Sequence, residues 1–438
     1  MKKNNISLLF MGLIGMTFFF LTACERDDDA VYDTFNDDSG LRNLIVVISD
    51  LHLGADLSYA EINENREPLK AFLEKIRTSR SVKELVIDGD LLDEWYVPAT
   101  NDTYNGKDQA DFVKRIATTN SEVIEKFNQI IQEGKVLVTY VPGNHDMAIS
   151  ADNIDLILPG INQARDADGL GTYSPSGYPE IAIEHGHRYN IIASPDPISN
   201  QDIAAGTILP AGYFFTRLAV QHVIQDCTQN ADVIPLVTPN TAGGASQALL
   251  YGYWQSWAWW LNMLPIENYF NEKMIVTNID GFTDTLSVND LLPYQDVQGE
   301  EIKVTLYKGI QDTWAERSTR NNVAVTITAA DAFKYAALTT GTDTMAVIQY
   351  FSNPNSTKRI VIFGHSHKAK IKEYNNYSGQ KSIYANSGTW IDDNPSGSTM
   401  DFVVITPQNN KTDSQTFVTL YNFADEVEMV MAKDSLQL

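Results

Sequence analysis

Five short polar clusters, each placed directly after an apolar run, constrain the fold of this 438-residue chain more than any other feature. In order they are Asp50-Leu51-His52, Gly89-Asp90-Leu91-Leu92-Asp93, Gly143-Asn144-His145-Asp146, His185-Gly186-His187 and Gly364-His365-Ser366-His367. Together they hold six of the seven histidines, and His222 alone stands apart. The runs before them, 44–48, 85–87, 136–141, 181–183 and 360–363, are rich in Val, Ile and Leu, as in strands buried on both faces. Each cluster therefore sits at a strand's C-terminal end.

Between the early strands, residues 65–78 and 108–133 have helical spacing, with Phe112, Ile116, Val123, Phe127, Ile130 and Ile131 on one face of the second. Strand, cluster, helix and strand in alternation predict an α/β sheet wrapped by helices. Such sheets gather ligand groups on loops beyond their strand ends, so clusters hundreds of residues apart can converge on one site. Residues 381–385, 402–405 and 416–421 read as further strands of a second sheet, with Asn386–Trp390 as a loop near the site. From Arg188 to about Asn355 the alternation stops. This stretch reads as an inserted cap, and it contains an aromatic block, 251–260, with four tryptophans. Its apolar residues surround a helix, which predicts a buried cap helix. The competing reading is a lid that grips an acyl chain, base or sugar, or dips into lipid.

Lys2 and Lys3, the uncharged stretch Ile6–Leu21 and then Thr22-Ala23-Cys24 read as a secretory leader over residues 1–23. The stretch is short for a bilayer span of roughly 20 residues. Leu21-Thr22-Ala23-Cys24 resembles a bacterial lipobox, which implies cleavage before Cys24 and lipidation of it. The expected location is then the cell envelope, anchored to a membrane, most naturally the outer one. Loss of Lys2 and Lys3 from 32 basic residues leaves 30 against 56 acidic, a balance of −26. That charge repels nucleic acid and anionic membrane, so nucleic acid is not an expected partner. With Cys24 acylated, Cys227 has no disulfide partner. Residues 24–40, rich in Asp, read as an acidic tether.

A donor set of Asp, His and Asn without cysteine suits two hard or borderline divalent cations such as Mn²⁺, Fe or Zn²⁺. Paired ions of this kind assist in-line displacement at phosphorus. Asp90, flanked by glycine and lying between the other clusters in order, is the natural bridging carboxylate. Taken singly, Asp50, Asp93 and Asp146 could be helix-capping carboxylates and His185 or His187 surface histidines. His222, in an apolar helical stretch, reads as an ordinary core or surface residue.

The five blocks in this order resemble the calcineurin-like metallophosphoesterases, over roughly residues 44–188 and 358–406. The resemblance implies an αββα sandwich with an inserted, mostly helical cap. Its segments are a core from 41–188 and 358–438 and a cap over 189–357. It implies Asp50, His52, Asp90 and His367 as ligands of one metal and Asp90, Asn144, His185 and His365 as ligands of the other. His145, oriented by Asp93, would act beside the phosphoryl group. The implied activity is hydrolysis of a phosphomonoester, phosphodiester or pyrophosphate by a metal-bridged hydroxide on a small phosphate-ester substrate. The family needs one histidine in the fourth block, so His187 is left as a candidate for substrate contact, for support of a ligand, or for plain exposure, and the adjacent Arg188 as a possible substrate contact. Asp90-Leu91-Leu92-Asp93-Glu94-Trp95, with Ser49–Gly54, looks especially like the UDP-2,3-diacylglucosamine pyrophosphatase branch. This chain departs from that branch at His145, where arginine is common, and in its leader. Alternatives are a lipid-headgroup or nucleotide-sugar pyrophosphatase and a catalytically silent binding lipoprotein.

Overall fold

The computed structural model describes residues 34–36, 40–409 and 414–438. The expected leader, Cys24 and most of the stretch expected to be a tether lie outside these residues. Residues 34–438 form one compact unit.

Two sheets face each other. The larger has seven strands in the order β13-β12-β11-β1-β2-β3-β4. Its parallel centre is β1 (Leu44–Ile48), β2 (Val82–Asp88), β3 (Leu137–Val141) and the short β4 (Asn162–Gln163), and its antiparallel wing is β11 (Asp401–Thr406), β12 (Thr416–Ala424) and β13 (Val427–Leu436). The smaller sheet has the order β5-β8-β10-β9, from β5 (Ile181–Ile183), β8 (Ile360–Phe363), β9 (Lys370–Asn375) and β10 (Lys381–Asn386). A hairpin of β6 (Ile275–Ile279) and β7 (Phe282–Leu286) stands by itself.

Side-chain alternation along the strands sorts the apolar residues into layers. Val46, Ile48, Leu85 and Ile87 face a core shared with α1 (Arg66–Thr78), α2 (Gln109–Thr119), α3 (Ser121–Glu133) and α4 (Ala151–Ile157). Ile45, Val47 and Val86 point the other way and pack against Ile181, Ile183, Ile360, Ile362 and Ile383 between the sheets. Val361, Phe363 and Tyr384 cover the outer face with Met345 and Phe351. Burial on both faces is why these strands read as continuous apolar runs.

The structure departs from the sequence reading in three places. Residues 402–405 and 416–421 belong to the first sheet, not to a second one, because β11 pairs with the free edge of β1 in the register Val46↔Val404. The 108–133 helix is two helices. Asn120 breaks it, its buried amide donating to Ile116 O and Gly54 O in place of a continued helical pattern. The aromatic helix α6 (Gly244–Met263) buries one stripe, Leu250, Tyr253, Trp257 and Leu261, while Trp259 is 59% exposed.

Between β5 and β8 the chain adds α5 (Ala211–Gln225), α6, the hairpin, α7 (Val288–Leu291), α8 (Trp314–Arg320), α9 (Ala329–Ala336) and α10 (Gly341–Ala346). Buried Arg217 of α5 stitches this segment to the core by donating to the carbonyls of Val97, Pro98, Ala99, Asn101 and Val276.

Candidate metal centre

The loops after β1 and β2 keep pairing beyond the strands. Asp50 N donates to Gly89 O, Leu51 N and His52 N to Asp90 O, and Asp93 N to Leu53 O. Asp146 ties in the loop after β3, accepting from Gly143 N at 2.7 Å, Leu91 N at 2.8 Å and Leu92 N at 3.2 Å. Burial and the charge of Asp90 push the Asp146 carboxyl up to about 6, against the pull of those amides. Its part is to hold loops together, as a capping carboxylate would.

Asp50, His52, Asp90, His365 and His367 all have φ between 48° and 65°. Left-handed backbone is uncommon for residues other than glycine, costs of order 1 kcal/mol or more each, and concentrates at functional sites. Close approach makes a second demand. A Cβ on Gly143 would lie 2.2 Å from Asp90 Oδ1, and one on Gly364 would lie 2.7 Å from Asp50 Oδ2.

These loops bring all seven expected metal ligands together. His185 Nε2 lies 3.0 Å from Asp90 Oδ2 and 3.2 Å from Asn144 Oδ1. His367 Nε2 lies 3.1 Å from Asp50 Oδ1 and 3.2 Å from His52 Nε2. His365 Nδ1 is 2.7 Å from Asn144 Oδ1, and its backbone N–H donates to Asp50. Asp90 Oδ2 sits 3.7 Å from His52 Nε2, and Asp50 Oδ1 is 3.9 Å from both His52 and His185, so either carboxylate lies between the two halves of the cluster. Asp50, His52 and His367 form one group able to hold a metal ion, and Asp50, Asp90 and His185 form another.

The histidine tautomers suit this. His185 Nδ1 donates to Asp88 O at 2.8 Å and His52 Nδ1 to Asp93 Oδ2 at 2.8 Å, which turns both Nε2 lone pairs toward the carboxylates. Burial disfavours charge on His185, but Asp90 and Asp50 outweigh it and raise its pKa to about 10. Burial likewise opposes charge on His52, and the carboxylates of Glu61, Asp93 and Asp90 raise it well above the usual imidazole value. Lone pairs and negative charge converging in a buried volume are the environment a divalent cation satisfies, so the donor set fits the two expected ions.

Beside this cluster, His145 Nδ1 donates to Asp93 Oδ1 at 2.8 Å. Asp93 Oδ1 also accepts from Trp95 N and Tyr96 N, so its position is fixed. The Trp95 ring lies 5.0 Å from that of His145 and 6.1 Å from that of Tyr213 on α5. Burial lowers the His145 pKa, and Asp93 and Asp90 more than restore it.

His187 and Arg188 both lie inside the fold. His187 is buried, donates from Nε2 to Gly169 O at 3.0 Å, and has its ring 5.4 Å from His185, so exposure is excluded. Arg188 is buried too. Its guanidinium is spent on Glu184, Asp166, Thr172 and Asn321 O, which makes it a tie between segments. His222 is bound to Pro265 O and takes no part.

Two residues of the site went unforeseen. Glu61 Oε2 lies 3.3 Å from His52 Nδ1, and Glu61 joins His52, Asp93 and His145 in a third group with metal-ligating geometry. Asn190 Nδ2 lies 3.3 Å from His365 Nε2. Neither sits in a patterned block, and only the tertiary fold brings them in.

The mixed α/β fold ends its parallel strands in loops that carry a buried Asp, His and Asn donor set able to hold metal ions. The sequence matches the calcineurin-like phosphoesterase family over residues 44–217, which leaves His365 and His367 outside the matched stretch. Among solved structures, a nuclease, MPE, from Pseudomonas putida is similar at 17% identity with a TM-score of 0.20, over 35% of this chain and 56% of that one. No curated protein is similar enough to the chain to count as a match.

Proposed function

We propose that this protein is a metal-dependent phosphoesterase that hydrolyses a phosphomonoester, phosphodiester or pyrophosphate. The convergence of Asp50, His52, Asp90, Asn144, His185, His365 and His367 on one buried volume carries this reading. Asp50, His52, Asp90 and His367 would hold one divalent ion and Asp90, Asn144, His185 and His365 the other. Bound there, such ions would make water a better nucleophile and neutralise charge on phosphoryl oxygens.

The chain's own residues supply the rest. His145 has Nδ1 fixed on Asp93, which leaves Nε2 to act on the substrate. As the bond from the water oxygen to phosphorus forms and the bond from phosphorus to the leaving oxygen breaks, Nε2 gives a proton to the departing oxygen. It regains the proton that the water releases. Asp93 keeps the ring oriented, and Trp95 covers its face and excludes water. Asn144 Oδ1 lies 3.2 Å from His185 Nε2 and 2.7 Å from His365 Nδ1, so the three donor atoms face one point where an ion would sit.

We further read residues 189–357 as a mostly helical cap. The packing of Tyr213 on Trp95 and the contact of Asn190 with His365 support this. Cleavage before Cys24 and acylation there would make the protein an envelope lipoprotein. Hydrolysis of bis-p-nitrophenyl phosphate and p-nitrophenyl phosphate by the full chain, with Mn²⁺, Zn²⁺ or Mg²⁺ and with a chelator, tests the activity. Metal-dependent turnover of either ester is expected. Absence of turnover with every metal, or turnover that survives chelation, contradicts the proposal.

A further inference from the structure

One end of the 189–357 segment leaves an unusual amount of apolar side chain in water. Val223 and Ile224 are exposed at the end of α5, Val233 (85%) and Leu236 on the loop that follows, and Trp259 and Met263 on α6. Hydrogen bonds stitch these segments into one block. Trp260 Nε1 donates to Phe215 O at 3.0 Å, His222 Nδ1 to Pro265 O at 2.6 Å, Trp254 Nε1 to Pro235 O at 3.0 Å and Asn230 Nδ2 to Leu261 O at 2.9 Å. Val233, Ile234 and Leu236 also share a cleft of about 360 Å³ with Trp254 and Ala258.

Charge is missing where a water-facing helix normally carries it. Gly244–Met263 contains no charged residue, and its outward side presents Trp259 and Met263 beside Gln255 and Asn262. A helix apolar on all sides is normally covered on all sides, whereas α6 is covered on the Leu250, Tyr253, Trp257 and Leu261 stripe alone. From residue 218 to residue 272 the chain has no Lys or Arg, so the block offers nothing to an anionic partner. Its acids are few, and the Asp232 carboxylate is engaged by Val233 N and Phe270 N. No helix among the described residues is long and apolar enough to cross a membrane, so contact with lipid would be made by lying on it.

We propose that this block docks on the surface of a zwitterionic lipid bilayer, with Trp259, Met263, Val233 and Leu236 entering the headgroup boundary. Tryptophan and tyrosine settle at that boundary, and Tyr269 is exposed beside the end of α6. A bilayer without net charge suits a block without cations in a chain of net charge −24, which an anionic bilayer repels. The chain outside the described residues points to the same occupant. Cys24 precedes Thr34 by ten residues, and acylation there would hold Thr34 within about 33–36 Å of a bilayer.

The test uses the chain from Glu25 onward, which keeps the whole compact unit 34–438 and lacks the leader and Cys24. It is sedimented with sucrose-loaded vesicles of phosphatidylcholine, and with vesicles in which phosphatidylglycerol replaces part of that lipid. Binding to phosphatidylcholine vesicles is expected, and weaker binding to the anionic ones. Trp259→Gln with Met263→Gln, and separately Val233→Ser with Leu236→Ser, should each weaken binding by about tenfold or more with Tm unchanged, because all four side chains are exposed. Val430→Ser, at an exposed apolar residue of β13, is the control and should bind like wild type. No binding to phosphatidylcholine, a preference for the anionic vesicles, or equal loss in Val430→Ser overturns the proposal. So does sedimentation velocity showing a dimer that the two double variants abolish while vesicles bind nothing, since a second copy would then be what covers the block.

Discussion

Gly143→Ala tests how tightly the centre is built. The φ of Gly143 lies outside the left-handed region, so the backbone tolerates alanine and the effect is one of space alone. The new Cβ would sit 2.2 Å from Asp90 Oδ1 and 2.3 Å from Asp90 N, against the 3.4 Å of an ordinary contact. Relief requires the 143–146 loop or Asp90 to move by about 1 Å. Neither moves freely, since His145 N donates to Asp90 Oδ1 at 2.7 Å and Asp146 holds both loops. Overpacking of this kind costs about 1–3 kcal/mol. In a unit of some four hundred residues that lowers Tm by only about 1–4 °C. A 1 Å displacement of catalytic groups, by contrast, costs about a hundredfold in turnover. Differential scanning fluorimetry, metal titration calorimetry and steady-state kinetics on the same preparation would therefore give a nearly native Tm with weakened metal binding and turnover down by about two orders of magnitude. Gly252→Ala in α6 is the control. Nothing lies within 4 Å of its added Cβ, and it should stabilise by up to about 1 kcal/mol with unchanged kinetics. Wild-type metal affinity and turnover within threefold in Gly143→Ala would refute the reasoning.

Three further outcomes are expected. His145→Ala should keep metal content, measured by elemental analysis, yet lower turnover by about 10²–10⁴-fold, least for esters of good leaving groups; loss of metal would make it a ligand instead. Arg217→Met should destabilise the fold by about 3–5 kcal/mol in urea unfolding, because it strips the donor from five carbonyls; a cost under about 1 kcal/mol would mean that the stitch carries no weight. Burial raises the Asp401 carboxyl from 3.8 to about 6, against the hydrogen bonds of Asn422 and Ser398. The neutral form is thus the one the fold favours: its stabilisation is complete below pH 3.8 and is lost as pH rises through 6. Asp401→Asn should therefore gain on wild type by about 1–3 kcal/mol between pH 4 and pH 7 in urea unfolding, and a constant difference across that window would contradict it.

The centre was legible in the sequence to the extent that its residues are forced by local rules. Strands buried on both faces leave runs such as 44–48 and 360–363, and loops that bring carboxylates and imidazoles together need glycine beside them, as at Gly143 and Gly364. The part that was not legible depends on long-range choices. β11 reads like any buried strand, and nothing local says that it pairs with the edge of β1 and not with β10. Glu61 is one of many acidic residues, and its place beside His52 depends on Asp392, more than 300 residues away, whose backbone N–H donates to Glu61 O. Arg188, next to His187, looked free for a ligand, and only the fold supplies Glu184 and Asp166 to occupy it. The tryptophans of α6 gave no stripe because Trp254, Trp259 and Trp260 are apolar residues outside the buried one.

The most direct test of the central claim is anomalous diffraction from crystals of the full chain grown with Mn²⁺. The account predicts two peaks enclosed by Asp50, His52, Asp90, Asn144, His185, His365 and His367, both abolished in Asp90→Ala. No peak within that set, or peaks that persist without Asp90, would contradict it.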